Sequence, residues 1–154
     1  MADEPYILVL SSNSIERAIQ RANLPEDRCI IRESVGLTSI PLFQMKDYLQ
    51  PTCDAVEQKG YPPSAIISCP FFADLFLFMA EKSPVMQKFK GKVHLVCSMQ
   101  RSEYEETLPA LFARSDLSEN YAPDSRFETV TKLLLEVFEE HGITPSAPRS
   151  ARGQ

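Results

Sequence analysis

The sequence predicts an α/β domain in which a parallel sheet of four to five strands carries helices on both faces. Short apolar runs recur along the chain, stretches with helical spacing of apolar residues separate them, and Gly or Pro marks many of the junctions. Strands that alternate with helices favour a parallel sheet, because parallel neighbours need a crossover connection. The right-handed sense of such crossovers favours a flavodoxin-like three-layer sandwich.

Four apolar runs predict the strands, and a shorter fifth strand is expected near Asn120–Ala122. Each run is short for a helix and is rich in residues that suit a buried strand. The four runs are Tyr6–Leu10, Cys29–Ile31, "SAIISC" at 64–69 and "KVHLVCS" at 92–98.

The stretches between the runs predict the helices. Ser14 is expected to cap a first helix over Ile15–Ala22, and Gly142 to end the last helix, "SRFETVTKLLLEVFEEHG". Pro51 is expected to interrupt the helix that begins in "FQMKDYL", and Pro109 to divide "SEYEETLPALFARSD" into two short pieces. The stretch "FFADLFLFMAEKS" is apolar almost all round, which predicts a helix that is deeply buried or part of an interface.

Length and composition predict one domain over residues 1–143, followed by a disordered, proline-rich tail over 144–154. The formal net charge of −5 argues against nucleic acid as the main partner. No apolar run is long enough for a membrane span. Acidic residues precede the first apolar run, unlike a secretory signal, so a cytoplasmic location is expected.

The four cysteines are widely separated, and none has a Cys or His partner at metal-ligand spacing. We therefore expect reduced, buried thiols and no metal site. No GxGxxG or GxxxxGK(S/T) motif occurs in the sequence, so no cofactor is expected either. Cys97 and Arg101 are too close in sequence to form a phosphatase loop. His94 and His141 have no neighbouring nucleophile or acid in sequence, so structural roles are expected for both.

A polar turn follows the first strand, where open α/β sheets bind ligands. A flavin or phosphate loop needs glycine there for close backbone approach, and this turn has none. A helix cap is the favoured interpretation, and a nucleotide- or phosphate-binding site is the alternative. The turn consists of Ser11, Ser12, Asn13 and Ser14.

A phospho-accepting receiver domain would have a similar layout but needs acidic residues at these strand ends to hold Mg²⁺. The matching corners carry Ser11-Ser12, Ser68-Cys69 and Cys97-Ser98 instead. Receiver chemistry is therefore excluded, while a degenerate receiver that only binds partners stays open.

From Tyr6 to Gly142 the order of residues resembles a Toll/interleukin-1 receptor (TIR) domain. "YILVLSSN" is similar to the first strand of that family, "CIIRESVGLTSI" to its second strand and BB loop, and "SAIISCPFFADLF" to its third strand and exit. "KVHLVCSMQRSEYEETLPALF" most resembles the divergent TIR-like domains of B-cell phosphoinositide-kinase adaptors and their ankyrin-bearing scaffold relatives.

The chain also departs from the TIR pattern. The BB loop lacks the usual Pro-Gly pair, since Gly36 is followed by Leu37, and the chain contains no tryptophan. NAD-cleaving TIR enzymes use a glutamate on the helix after the third strand. Glu81 is the only acid late in that stretch, and it lacks the usual setting. An NAD hydrolase that uses Glu81 is therefore the enzymatic alternative.

The resemblance implies a cytosolic adaptor in signal transduction and innate immunity that acts without catalysis. Its expected partners are other signalling proteins or a second copy of itself, bound through a BB-loop-like surface. The expected contact residues are Glu33, Ser34, Val35, Gly36, Leu37, Thr38, Ser39 and Ile40.

Overall fold

A computed structural model describes residues 4–10, 13–32, 42–97, 101–123 and 127–145. These residues contain a single five-stranded sheet in which every pairing is parallel. The strands are β1 (Ile7–Leu10), β2 (Cys29–Arg32), β3 (Ala65–Ser68), β4 (Val93–Cys97) and β5 (Leu117–Pro123). Their spatial order, β2-β1-β3-β4-β5, confirms the predicted flavodoxin-like sandwich.

Helices connect the strands, as a parallel sheet requires. Short 3-10 helices at Glu26–Arg28 and Met86–Lys88 precede β2 and β4. The α-helices are α1 (Asn13–Arg21), α2 (Leu42–Lys59), α3 (Pro70–Met79), α4 (Arg101–Thr107), α5 (Pro109–Phe112) and α6 (Phe127–Glu140).

Two apolar cores cover the two faces of the sheet, because alternate strand residues point to opposite sides. On β1, Ile7 and Val9 contribute to the core under α1 and α6, while Leu8 and Leu10 contribute to the core under α2 and α3. The second core also contains the largest buried aromatic side chains of α3, which are Phe72 and Phe76.

The interruption predicted at Pro51 is wrong, since α2 runs through this residue for 18 residues in all. The Pro51 side chain is exposed, while Leu49, Thr52 and Val56 are buried. Packing of this buried stripe stabilises the helix on both sides of the proline, which offsets the backbone hydrogen bond that the proline removes.

The predicted cap at Ser14 is wrong, because α1 already begins at Asn13 and Ser14 lies inside the helix. The third predicted helix is shorter than expected and ends at Met79. Division at Pro109 is confirmed, with α4 before it and α5 beginning at it. The fifth strand is longer than expected and covers Leu117–Pro123. The described residues end at Pro145, two residues into the predicted tail over 144–154, and the rest of that tail lies outside the described residues.

Gly91 fixes the approach of β4 to β3, because a Cβ atom there would lie 2.0 Å from the backbone oxygen of Ser64. Gly91→Ala is therefore expected to lower the free energy of unfolding by about 1–3 kcal/mol, since backbone must move to admit the methyl group. Lys92→Ala, at the exposed neighbouring position, is the control and should change it by less than about 0.5 kcal/mol. Urea unfolding followed by circular dichroism measures both, and equal midpoints would contradict the prediction.

Candidate interaction surface

The carboxyl ends of β1 and β3 form the corner where ligands bind in open α/β sheets. Leu10 and Ser68 pair at this corner. Ser68 is fully buried, and its Oγ donates a 2.6 Å hydrogen bond to the carbonyl oxygen of Cys69. The hydroxyl proton is therefore donated to neighbouring backbone.

Most residues that the sequence singles out at this corner lie outside the described part of the chain. This holds for Ser11 and Ser12, for the side chains of Asn13 and Ser14, and for the whole predicted BB loop, Glu33–Ile40. The nucleotide alternative at the polar turn and the BB-loop contacts thus stay predictions.

Glu81 lies far from this corner. Helix α3 begins directly after β3 and runs antiparallel to the strands, so its 10 residues carry the chain about 15 Å back across the sheet. Glu81 follows the end of this helix and is exposed. The structure therefore brings Glu81 together with neither Ser68 nor the carboxyl end of β3.

The outward face of α3 presents aromatic side chains to solvent. Phe78 is 63% exposed and Phe71 is 37% exposed, whereas Phe72 and Phe76 on the inward face are fully buried. Phe71 is held by an edge contact with the Tyr104 ring, at a centroid distance of 5.6 Å. Phe78 is thus the large apolar side chain that the described surface covers least.

A groove of about 480 Å³ lies beside Phe78, between α3, α5 and the first half of α2. Its apolar lining comes mainly from α3 and α5, and four charged side chains stand around it. The lining residues are Lys46, Asp74, Leu75, Leu77, Phe78, Glu81, Ala110, Leu111 and Arg114. An apolar recess with a charged rim is the usual composition of a binding surface for another macromolecule.

The two cations of the rim are held in different ways. The Nζ atom of Lys46 lies 5.4 Å from the centroid of the Phe78 ring, within range of a cation–π contact. Arg114 donates two hydrogen bonds of 2.8 Å to the carboxylate of Asp116, and this pairing raises the pKa of Arg114. Arg114 is therefore fixed by its partner, while Lys46 is placed over an exposed ring.

The two carboxylates of the rim have no such partner. Among the described residues, neither Asp74 nor Glu81 takes part in an ion pair. Asp74 is half-buried, and desolvation raises the pKa of its carboxyl group. The described side chains of this protein therefore do not neutralise the two rim carboxylates, and both can interact with a cation from outside the chain.

The thiols are placed unfavourably for chemistry. Cys29, Cys53 and Cys69 are reduced and half-buried, and burial raises the pKa of the Cys53 thiol with help from the charges of Asp54 and Glu57. A raised pKa lowers the thiolate fraction and hence the reactivity. The described segments hold no group of three or more potential metal ligands, and none of their helices has the length and hydropathy to cross a bilayer.

Comparisons with protein-family models, with curated proteins and with solved structures find no match to this chain. A flavodoxin-like fold hosts many unrelated activities, so the fold alone assigns none of them. The function is therefore inferred from the residues of the surface beside α3, namely exposed Phe78 and the groove with its charged rim.

Sequence reasoning anticipated part of this surface. The apolar composition of "FFADLFLFMAEKS" allowed either burial or an interface, and α3 buries Phe72 and Phe76 on one face while it exposes Phe71 and Phe78 on the other. Lys46 and Arg114 were missed, because they reach the groove from elements distant in sequence and only the folded packing of α2 and α5 places them there.

Proposed function

We propose that this chain is a TIR-like interaction domain of cytosolic signalling, which binds other signalling proteins or a second copy of itself and does not catalyse a reaction. The observation that carries the proposal is Phe78, which is 63% exposed beside an apolar groove with a charged rim. Large aromatic side chains, phenylalanine among them, are enriched at the centre of protein–protein interfaces.

The strand ends support a binding role over a catalytic one. At the corner between β1 and β3, the described residues Leu10, Ser68 and Cys69 offer no carboxylate, and the Ser68 hydroxyl is bonded to backbone. Glu81, the residue of the NAD-hydrolase alternative, stands about 15 Å from this corner, at the far end of α3.

The predicted BB-loop surface, Glu33–Ile40, is the second part of the proposal. Leu37 and Ile40 would act there as apolar anchors in an acidic chain. Replacing both with aspartate is expected to abolish association and to leave the fold intact, because a charge at a buried interface loses its hydration without gaining a partner. Light scattering over a concentration series from micromolar to millimolar protein measures the association.

Gln20→Asp/Gln58→Asp is a matched control, since it adds the same charge at exposed positions of α1 and α2. It should associate like the unmodified chain. The same samples, supplied with NAD, are assayed for nicotinamide release. Turnover that disappears in Glu81→Ala would overturn the proposal in favour of an NAD hydrolase, and unchanged association of the Leu37/Ile40 variant would contradict the BB-loop surface.

A further inference from the structure

We infer that the groove beside α3 receives an amphipathic helix of a partner protein, with lysine or arginine residues beside the apolar face of that helix. The inference rests on the proposed function, because it names the chemistry of the partner that the interaction surface takes. Three observations carry it: the extent of the groove, the charge left on its rim, and the spacing of the rim carboxylates along α3.

The groove extends beyond a single recess. A second recess of about 270 Å³ continues the groove of about 480 Å³, since Leu77, Glu81 and Arg114 line both. The second recess adds apolar surface from Met86 and Phe89. The continuous surface can therefore accept several side chains of one partner segment.

The walls of this surface favour a helix over an extended segment. None of the lining residues belongs to one of the five described strands, so a partner cannot extend the sheet from here by backbone pairing. A helix needs no backbone partner and presents a row of apolar side chains on one face. Such a row docks in grooves between helices, which is the arrangement of α2, α3 and α5 around Phe78.

The charges of the rim favour a cationic partner. Asp116 belongs to this rim, because it lines the second recess and accepts two hydrogen bonds of 2.8 Å from Arg114. These two charges cancel each other. The remaining rim charges are those of Lys46, Asp74 and Glu81, so the face is net acidic, like the whole chain at −5. Anionic partners are therefore repelled, and a basic segment is attracted.

The two unpaired carboxylates lie at the spacing of one helix face. Asp74 and Glu81 stand about 10 Å apart along the direction of α3, and Phe78 lies between them. A partner helix packed along α3 can set two cations, two turns apart, against these carboxylates and its apolar stripe against the Phe78 ring. Burial has already removed part of the hydration of Asp74, so a partner cation costs this carboxylate little further desolvation.

A peptide of leucine and lysine tests the inference. The probe has about 18 residues, or five helical turns, with leucine at helical spacing and lysine elsewhere. One control peptide has the same composition with leucine and lysine alternating, and a second has glutamate in place of lysine. Fluorescence anisotropy of each labelled peptide, titrated with the full chain, gives dissociation constants. The helical basic peptide should bind at least about tenfold more tightly than either control, and added salt should weaken its binding.

Removal of the two carboxylates tests the charge pairing. Asp74→Asn/Glu81→Gln should raise the dissociation constant of the basic peptide about tenfold, because two of its cations lose their partners. Glu139→Gln/Glu140→Gln is the matched control, since it removes the same charge from exposed positions of α6, which covers the other face of the sheet. The control should bind the peptide within about twofold of the unmodified chain, because screened charges at that distance contribute little.

Two single variants test the rest of the surface. Phe78→Ala should raise the dissociation constant at least about tenfold, because the ring is no longer buried against the peptide. Lys46→Gln should lower it, because a cation that repels the peptide is removed from the rim. Both positions are exposed, so thermal unfolding of these variants should match that of the unmodified chain and excludes misfolding as the cause.

The inference is overturned if the helical and alternating basic peptides bind equally, or if the carboxylate variant or Phe78→Ala binds like the unmodified chain. It is also overturned if the chain binds no peptide but self-associates through Phe78, because a second copy then fills the groove. In each case, association lost in Leu37→Asp/Ile40→Asp leaves the interaction-domain proposal standing. Glu81-dependent release of nicotinamide from NAD would instead overturn the proposed function itself.

Discussion

Replacing Phe76 with alanine is expected to lower the free energy of unfolding by about 3–5 kcal/mol. The Phe76 side chain is fully buried in the core between α2, α3 and the sheet, beside Phe72, Leu8 and Ile66. Truncation removes most of an aromatic side chain from close packing and leaves a cavity that the rigid strands beneath it fill only in part. This loss is comparable with the whole stability of a marginal domain.

Phe78→Ala is the matched control, because it removes the same atoms from the same helix two residues later. Phe78 is 63% exposed, so its truncation should change stability by less than about 0.5 kcal/mol. Urea unfolding at low protein concentration, where self-association does not contribute, gives both values. Equal losses in the two variants would show that α3 packs on the sheet through a different face from the one described.

This pair of residues illustrates what hydrophobic patterning can and cannot specify. In an amphipathic helix the sequence pattern identifies the buried face, because only one stripe of the helix is apolar. In α3 almost every residue is apolar, so the pattern gives the helix but leaves its rotation about its own axis undetermined. The orientation follows from contacts with β3, β4 and α2, which are distant in sequence.

The sheet could be predicted because its strands carry the signal themselves. Each buried parallel strand is a short continuous apolar run, and the crossover rule then limits the order in which such strands pair. Pro51 marks the opposite situation. A proline within a helix does destabilise it locally. The buried stripe of Leu49, Thr52 and Val56 nevertheless supplies packing contacts on both sides of Pro51, and the helix continues through it.

The two parts of the proposed interaction surface differ in the same way. Leu37 and Ile40 were singled out by local apolar character in a polar loop, a signal that one segment contains. The groove instead combines residues of α2, α3 and the Arg114 region, so no single segment of the sequence predicts it. In the sequence alone, Lys46 looks like an ordinary exposed helix residue, and only the fold places it over Phe78. Binding surfaces assembled from several elements become visible only after the fold is known.

The protein is expected to lose about 2 kcal/mol of stability between pH 7 and pH 5, and about 3 kcal/mol by pH 4, through His94 alone. His94 lies on β4, is 4% exposed, and has no hydrogen-bond partner for either ring nitrogen in the described structure. Burial lowers its pKa from 6.5 to about 4, and the positive charges of His141 and Lys92 act in the same direction. The folded state therefore keeps this imidazole neutral.

The sign of the effect follows from proton binding. Below pH 6.5 the unfolded chain takes up a proton at His94 that the folded chain does not bind until about pH 4, so stability is complete above pH 6.5 and is lost as pH falls through this window.

Local geometry explains why His94 finds no partner. The register slips between Val93 and Leu95, so the stretch of β5 from Leu117 to Tyr121 spans only two steps of β4. The ring points to the opposite side of the sheet from Leu95, into the apolar core under α6.

His94→Leu should remove this pH dependence, because leucine fills a similar volume and binds no proton. At pH 7 the variant should be as stable as the unmodified chain or more so, since an apolar group replaces two buried nitrogens that lack partners. His141→Gln is the control and should keep most of the acid loss, because burial of His94 outweighs the charge of His141 as the cause. Urea unfolding of the three proteins between pH 7 and pH 4 compares them. Carboxyl groups titrate alike in all three, so parallel curves for His94→Leu and the unmodified chain would mean that the folded protein admits a proton, or water, to this part of its core.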